Sequence, residues 1–66
     1  MKIIVNGDAH EVPAPASLAG ALDQLGFGGA VVATALNGEF VASSARSDIT
    51  LSEGDHLEVL APMQGG

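Results

Sequence analysis

The stretch Ile3-Ile4-Val5-Asn6-Gly7, continued by Ala9 to Val12, decides how the fold begins. Its Asn-Gly pair supplies the positive φ angles that a tight primed turn requires, between an apolar run before the pair and the segment from Ala9 to Val12 after it. The sequence therefore predicts two antiparallel strands that are joined by a hairpin turn at the start of the chain.

A short amphipathic helix, over about Ser17 to Leu25, is predicted to follow this hairpin. Ser17 is a residue type that caps the first amide groups of a helix, and Gly26 can end the helix in a left-handed conformation. The apolar residues recur at helical spacing, namely Leu18, Ala21, Leu22 and Leu25. Because so short a helix is not stable alone, its leucine face must rest on the sheet. Gly20 is expected to mark a close approach between helix and sheet.

The second half of the chain is predicted to contain further strands, of which the last is the best defined. A strand over Val31 to Leu36 ends at a second Asn-Gly pair, Phe40-Val41 is a short strand, and Ile49 to Leu51 is a short extended piece. Ala42 to Asp48 is predicted to be a loop or turn. The segment from His56 to Ala61 alternates, with Leu57, Val59 and Ala61 on one face and His56, Glu58 and Leu60 on the other.

The order of these elements favours an α+β fold, in which a mixed four- or five-stranded sheet carries one helix across one face. This arrangement is the β-grasp roll. Residues 1–63 are expected to form the domain, and residues 64–66 a flexible C-terminal Gly-Gly tail. Leu60 and Ile4 would lie on the uncovered face of the sheet, where exposed apolar side chains mark a docking site.

Composition and charge exclude several classes of function. The chain has 66 residues, with two basic and eight acidic residues and a net charge of −6 at pH 7. A chain of this length buries about 60% of its unfolded surface, which suffices for one small domain. Two basic residues cannot neutralise a nucleic-acid backbone or hold the chain to an anionic membrane, and no apolar run approaches the roughly 20 residues that span a bilayer.

The absence of Cys suits a reducing compartment. We therefore expect a cytoplasmic protein that is a monomer when alone and binds neither nucleic acid nor membranes. Its acidity indicates that its protein partners offer basic surfaces, because complementary charge speeds encounter.

The residues that an enzyme would need are missing from this sequence. Cys, Tyr and Trp are absent, and His10 and His56 lie on separate predicted strands without the spacing of metal ligands. The glycines at 26, 28 and 29 follow a helix, whereas phosphate-binding loops follow a strand and precede a helix. We therefore predict a chain that is not an enzyme and that binds no metal and no cofactor of its own.

The C-terminal residues Pro62-Met63-Gln64-Gly65-Gly66 are the remaining candidates for chemistry. Pro62 has no amide hydrogen, so regular strand pairing is expected to stop there. Two glycines without side chains can enter a channel only as wide as a backbone and present the terminal carboxylate to another protein. Terminal glycines are also typical of frayed chain ends, but here they follow an alternating strand and a Gly-Asp turn.

Three blocks of this sequence form a recognisable set, namely Ile3 to Gly7, Val32 to Val41 and Leu51 to Gly66. Together they resemble the ThiS family of sulfur carriers in thiamin (thiazole) biosynthesis, over the whole length of the chain. The last block, which ends in Gly-Gly, is the most specific. Positions 42 and 43 hold Ala-Ser, where many members of the family have Pro-Arg.

The resemblance implies a carrier without catalysis of its own. An adenylating enzyme related to the ubiquitin-activating family would use ATP and magnesium to join the Gly66 carboxylate to AMP, because a free carboxylate resists nucleophilic attack. A persulfide sulfur from another protein would then displace AMP and leave a thiocarboxylate on Gly66, and thiazole synthase would accept that sulfur. On this reading Gly65 provides clearance, and the docking surface includes Leu60, Met63 and Gln64.

Three alternatives remain open from the sequence. The small subunit of molybdopterin synthase is a sulfur carrier with the same fold and the same Gly-Gly end, although its chains tend to be longer. A ubiquitin-like modifier would join the same tail to Lys on target proteins through an amide bond. A plain β-grasp interaction module would use no tail chemistry.

Overall fold

A computed structural model describes residues 1–61 and shows five strands, one α-helix and one 3-10 helix. The strands are β1 (Lys2–Val5), β2 (Asp8–Glu11), β3 (Ala33–Leu36), β4 (Glu39–Val41) and β5 (His56–Leu60). The α-helix, α1, covers Leu18–Gln24, and the 3-10 helix covers Ser43–Asp48. The strands form one sheet in the order β2-β1-β5-β3-β4, with β1 and β5 parallel and the other pairs antiparallel. The predicted mixed sheet with one α-helix, the β-grasp roll, is confirmed.

Both hairpins turn at an Asn-Gly pair, as the sequence predicts. Asn6 and Gly7 have φ angles of 50° and 89°, and Asn37 and Gly38 have φ angles of 51° and 87°. Two successive positive φ angles give a turn whose twist matches that of the flanking strands. The local sequence therefore determines where the β1–β2 and β3–β4 pairs turn.

The helix α1 begins and ends where the sequence predicts. The Ser17 hydroxyl accepts a hydrogen bond from the Gly20 amide at 3.0 Å, and Gly26 follows the helix with a φ of 92°. The expectation for Gly20 is wrong, because a Cβ at this position would meet only the Ser17 hydroxyl oxygen, at 3.3 Å, and no atom of the sheet. Because Gly20 has no side chain, the Ser17 hydroxyl has room to cap the helix.

Replacement of Ser17 by Ala is expected to lower the free energy of unfolding by about 1 kcal/mol, because the Gly20 amide loses its acceptor. Ser17→Asp is the matched control, since a carboxylate retains the acceptor at the same place and should restore most of the loss. Urea unfolding followed by circular dichroism measures both variants. Equal stability of Ser17→Ala and the parent chain would show that this cap adds nothing.

Two segments of the second half differ from the prediction. The third strand begins at Ala33 rather than Val31, because β5 ends level with Ala33 and β4 ends level with Thr34. Residues 43–48, predicted as a loop, form a 3-10 helix. Residues 49–51 are extended, as predicted, and they pair with residues 16–18 in front of the helix instead of joining the sheet.

Arg46 explains why residues 43–48 are ordered against the sheet. Its guanidinium donates to the Thr34 hydroxyl at 3.0 Å and to the Val32 carbonyl at 2.7 Å. Thr34 is buried with 2% exposure, and its hydroxyl donates in turn to the Val41 carbonyl at 2.9 Å. These bonds join the 3-10 helix to β3 and β4 through a fully satisfied buried polar group.

The core lies between α1 and one face of the sheet. The helix contributes Leu18, Ala21 and Leu22. The strands and the extended segments contribute Ile3, Val5, Val12, Val41, Leu51, Leu57 and Val59. Leu57 and Val59 are buried, as the alternation in β5 predicts, whereas Ala61 lies beyond the strand and is exposed. The other face of the sheet is left without a covering element among residues 1–61.

Candidate functional site

The strand that leads to the C-terminus, β5, lies at the centre of the sheet. It is parallel to β1 on one side and antiparallel to β3 on the other. The last residue of the strand is Leu60, which pairs with Ala33 at the start of β3. The chain therefore leaves the sheet from its central strand, directly after Leu60.

Four of the residues predicted to carry the function lie outside the described residues. These are Met63, Gln64, Gly65 and Gly66. Leu60 is the one predicted site residue that the structure places. Its side chain is 66% exposed on the uncovered face of the sheet, as the alternation of β5 predicts.

A second large apolar side chain, Phe40, lies on the same face as Leu60. Phe40 is 73% exposed and pairs with Ala35, which pairs in turn with Glu58 of β5. Cross-strand partners project their side chains to the same face of a sheet. We name the set Ala33, Ala35, Phe40, Glu58 and Leu60 the open-face patch. It places Leu60 at the point where the chain leaves the sheet and Phe40 two strands away on the same face.

Strand alternation in β4 also indicates that the side chain of Phe40 is exposed. Val41 is buried, and neighbouring residues of a strand point to opposite faces. An inward Val41 therefore requires an outward Phe40. Ile4, the other residue expected on this face, is half-buried and pairs with His56 of β5.

A shallow groove adjoins the open-face patch. It has a volume of about 370 Å³ and is lined by Ile4, Asn6, Gly7, Gly38, His56, Leu57 and Glu58. The two Asn-Gly turns contribute Gly7 and Gly38 to its border. His56 and Glu58 are the ionisable side chains in this lining, and the groove holds no Cys, Ser or Thr that could act as a nucleophile.

Glu58 is the one charged member of the open-face patch. Within residues 1–61, the structure shows an ion pair between the Met1 amino group and Glu11, at 3.6 Å, and none at Glu58. The Arg46 guanidinium is bonded to Thr34 and Val32. A basic side chain of a partner could therefore pair with Glu58 without displacing a contact of the fold.

The two histidines do not form a common site. His10 pairs with Ile3, which faces the core side of the sheet, whereas His56 pairs with Ile4 on the uncovered side. Cross-strand pairs share a face, so the two imidazoles lie on opposite faces. In the part of the chain that the structure describes, no three His, Asp or Glu side chains come together as metal ligands. No helix within residues 1–61 has the length and apolar character to cross a membrane.

Comparison with known proteins adds a family and two structures. The sequence pattern of the ThiS family matches residues 3–66. A crystal structure of a thiamine biosynthesis protein (ThiS) from Geobacter metallireducens superposes with a TM-score of 0.83, at 32% identity over all of both chains. A solution structure of a thiamine biosynthesis protein from the same organism superposes with a TM-score of 0.80, at 30% identity over all of this chain and 88% of that one.

A third similar protein is much longer than this chain. A thiazole synthase from Paramagnetospirillum magneticum is 32% identical over all 66 residues of this chain. Those residues correspond to 20% of that thiazole synthase, so the chain spans about a fifth of the length of the curated relative that it matches.

Proposed function

The chain belongs to the ThiS family of sulfur carriers, and from that premise we propose that it carries sulfur for thiazole biosynthesis on the C-terminal carboxylate of Gly66. The observation that carries this proposal is the extent of the family match, which continues through Gly65 and Gly66 to the end of the chain. The chain acts as a co-substrate of other enzymes, a role that its membership of a family of small sulfur carriers supports.

The first proposed step is adenylation of Gly66 by a ubiquitin-activating-like enzyme. A carboxylate oxygen of Gly66 attacks the α-phosphorus of ATP, pyrophosphate leaves, and an acyl-adenylate forms. The ATP and the magnesium ion belong to the activating enzyme. The adenylate is needed because a free carboxylate carries negative charge and has no good leaving group, whereas AMP leaves readily.

The second proposed step places sulfur on Gly66. The terminal sulfur of a protein persulfide attacks the acyl carbon and expels AMP, which leaves an acyl disulfide. A thiol then cleaves the sulfur–sulfur bond, becomes part of a new disulfide, and releases the Gly66 thiocarboxylate. The chain has no Cys of its own, so no internal thiol competes in this exchange.

The proposed acceptor of the sulfur is thiazole synthase. A protein named thiazole synthase contains a segment that is 32% identical to this whole chain. A carrier and an acceptor that occur in one polypeptide are expected to act on each other. We therefore propose that this chain delivers its sulfur to a thiazole synthase, as the corresponding segment would within that longer protein.

The open-face patch supports a role in partner docking. Exposed apolar side chains that cluster on a small domain mark interaction surfaces, and aromatic residues are common anchors of such surfaces. We propose that Phe40 and Leu60 anchor the activating enzyme and that Met63 and Gln64 extend this surface. Glu58 would receive a basic side chain of the partner.

The length of the tail sets how far the reactive carboxylate can reach. Pairing in the sheet ends at Leu60, and the six residues 61–66 span at most about 20 Å when fully extended. With Phe40 and Leu60 seated on the partner, the ATP of the activating enzyme must therefore lie within about 20 Å of the end of the sheet. We propose that the two terminal glycines enter the channel, with Gly65 providing clearance.

Reconstitution with purified partners tests this function. The chain is incubated with the activating enzyme of thiazole biosynthesis, ATP, a persulfide donor and a thiol, and then with thiazole synthase or the large subunit of molybdopterin synthase. We expect chain-dependent release of pyrophosphate and sulfur transfer to thiazole synthase alone. Sulfur transfer to the large subunit of molybdopterin synthase alone would show that thiazole synthase is not the acceptor. No pyrophosphate release, with enzymes that are active on their own carrier, would contradict the proposal.

A further inference from the structure

The side chain of Asn6 binds both backbone groups of Val59. The Val59 amide donates to Asn6 Oδ1 at 2.9 Å, and Asn6 Nδ2 donates to the Val59 carbonyl at 3.0 Å. The two residues are 53 positions apart in the sequence. Val59 is the penultimate residue of β5, so this pair of bonds lies at the end of the strand from which the chain leaves the sheet.

The backbone of β1 cannot support this part of β5. The Asn6 amide still donates to the Leu57 carbonyl at 3.0 Å, but Asn6 itself has a φ of 50° and turns into β2. The next backbone group of β1 is therefore directed away from β5. The primary amide of Asn6 presents an N–H donor and a carbonyl acceptor to Val59, as a peptide group would, and it takes the place of that missing strand residue.

We propose that Asn6 is a positioning residue that fixes the direction in which the tail leaves the sheet. The residue after Val59 is Leu60, which pairs with Ala33 of β3. Without the side-chain amide of Asn6, hydrogen bonds join β5 to β1 only as far as Leu57. The last residues of β5 are then supported by β3 alone. This inference rests on the proposed function, because a direction matters only for a tail that must enter a partner.

Asn37 offers a matched control at the opposite end of β5. Its φ is 51°, it also precedes a glycine, and its Oδ1 accepts from the His56 amide at 2.9 Å. Its Nδ2 donates to the Asp55 carboxylate at 3.1 Å. Asn37 therefore resembles Asn6 in backbone and bonding, but it holds the first residue of β5 instead of the end near the tail.

The experiment compares N6G and N37G in the full-length chain. Glycine adopts the positive φ of both positions without strain, so each substitution removes the side-chain amide, and the added backbone entropy of glycine is common to both variants. Adenylation by the activating enzyme gives kcat and KM, at a temperature where circular dichroism shows every variant folded. Amide hydrogen exchange at Val59 gives the local effect without any partner. A third variant, N6D, keeps the acceptor for the Val59 amide and removes the donor to the Val59 carbonyl.

We expect N6G to lower kcat about tenfold, because a tail with a less fixed direction places the carboxylate in reach of ATP less often. Its KM should stay within about twofold, since the open-face patch is intact. N37G should keep the kcat of the parent chain despite a similar loss of thermal stability. Val59 exchange should rise about tenfold in N6G and stay unchanged in N37G, with N6D between the parent and N6G in both measurements.

Equal kcat values for N6G and N37G, or unchanged Val59 exchange in N6G, would overturn the positioning role of Asn6. These outcomes are distinct from failure of the proposed function, which shows as an absence of adenylation in the parent chain. In that case the exchange measurement still decides whether Asn6 fixes the end of β5.

Discussion

Deletion of Gly66 is expected to reduce sulfur loading at least about 100-fold while leaving the fold intact. The shortened chain still ends in a glycine carboxylate, but that carboxylate lies about 3.5 Å short of its normal position. Displacement of a reacting group by about 1 Å can already cost a factor of about 100. The strands, the helix and the core lie within residues 2–60, so the free energy of unfolding should not change.

Gly66→Ala is the control for this deletion, because it retains the length and adds only a Cβ. We expect the alanine variant to be adenylated more slowly than the parent chain but faster than the deletion variant. Pyrophosphate release reports the first step, and denaturant unfolding confirms the unchanged fold. Normal loading of the deletion variant would show that the terminal residue is not the carrier.

The double substitution of Phe40 and Leu60 by Ala is expected to weaken binding of the activating enzyme by at least about 30-fold. Loss of a single anchor residue costs about 2 kcal/mol or more, which is about 30-fold in affinity because a factor of 10 corresponds to about 1.4 kcal/mol, and loss of the second anchor adds to this. Both side chains are exposed in the free chain, at 73% and 66%. Their truncation should therefore change the free energy of unfolding by less than about 0.5 kcal/mol.

Val31→Ala provides the comparison for this surface. Val31 is 80% exposed and lies outside the strands, so it matches the exposure of the patch residues without belonging to the patch. We expect it to leave the affinity for the activating enzyme within about twofold, as most exposed positions outside an interface do. Isothermal titration calorimetry with the activating enzyme measures each Kd. An unchanged Kd in the Phe40 and Leu60 variant would rule out the open-face patch as the docking surface.

The parts of the fold that local chemistry determines could be predicted from the sequence. Asn-Gly pairs require positive φ angles, so both hairpins could be placed at residues 6–7 and 37–38. Ser17 and Gly26 have the side chains that start and end a helix, and alternation in β5 identified its buried and exposed faces. These features depend on residues that are close together in the sequence.

The features that the sequence did not reveal depend on distant contacts. Residues 43–48 have loop composition, and their ordering follows from the hydrogen bonds that Arg46 donates to Thr34 of β3 and to Val32 just before this strand. The bond between Asn6 and Val59 joins the two ends of the chain, and no local pattern encodes it. Gly20 is the exception, because the atom that limits its space belongs to the nearby cap residue Ser17 and not to the sheet.

The position of Phe40 could be predicted only in part from the sequence. The pair Phe40-Val41 was correctly placed on a strand, and burial of Val41 then determines that Phe40 is outward. What the sequence could not supply is the order of the strands, which brings β4 and β5 to either side of β3. That order places Phe40 and Leu60 on one face and makes a patch from two separate exposed residues.

The central claim is that Gly66 carries sulfur as a thiocarboxylate. The most direct measurement is the intact mass of the chain after incubation with the activating enzyme, ATP, a persulfide donor and a thiol, followed by fragmentation. We predict a mass increase that corresponds to exchange of one oxygen for one sulfur, located in the C-terminal fragment that contains Gly66. An unchanged mass, with an activating enzyme that loads its own carrier under the same conditions, would contradict the claim.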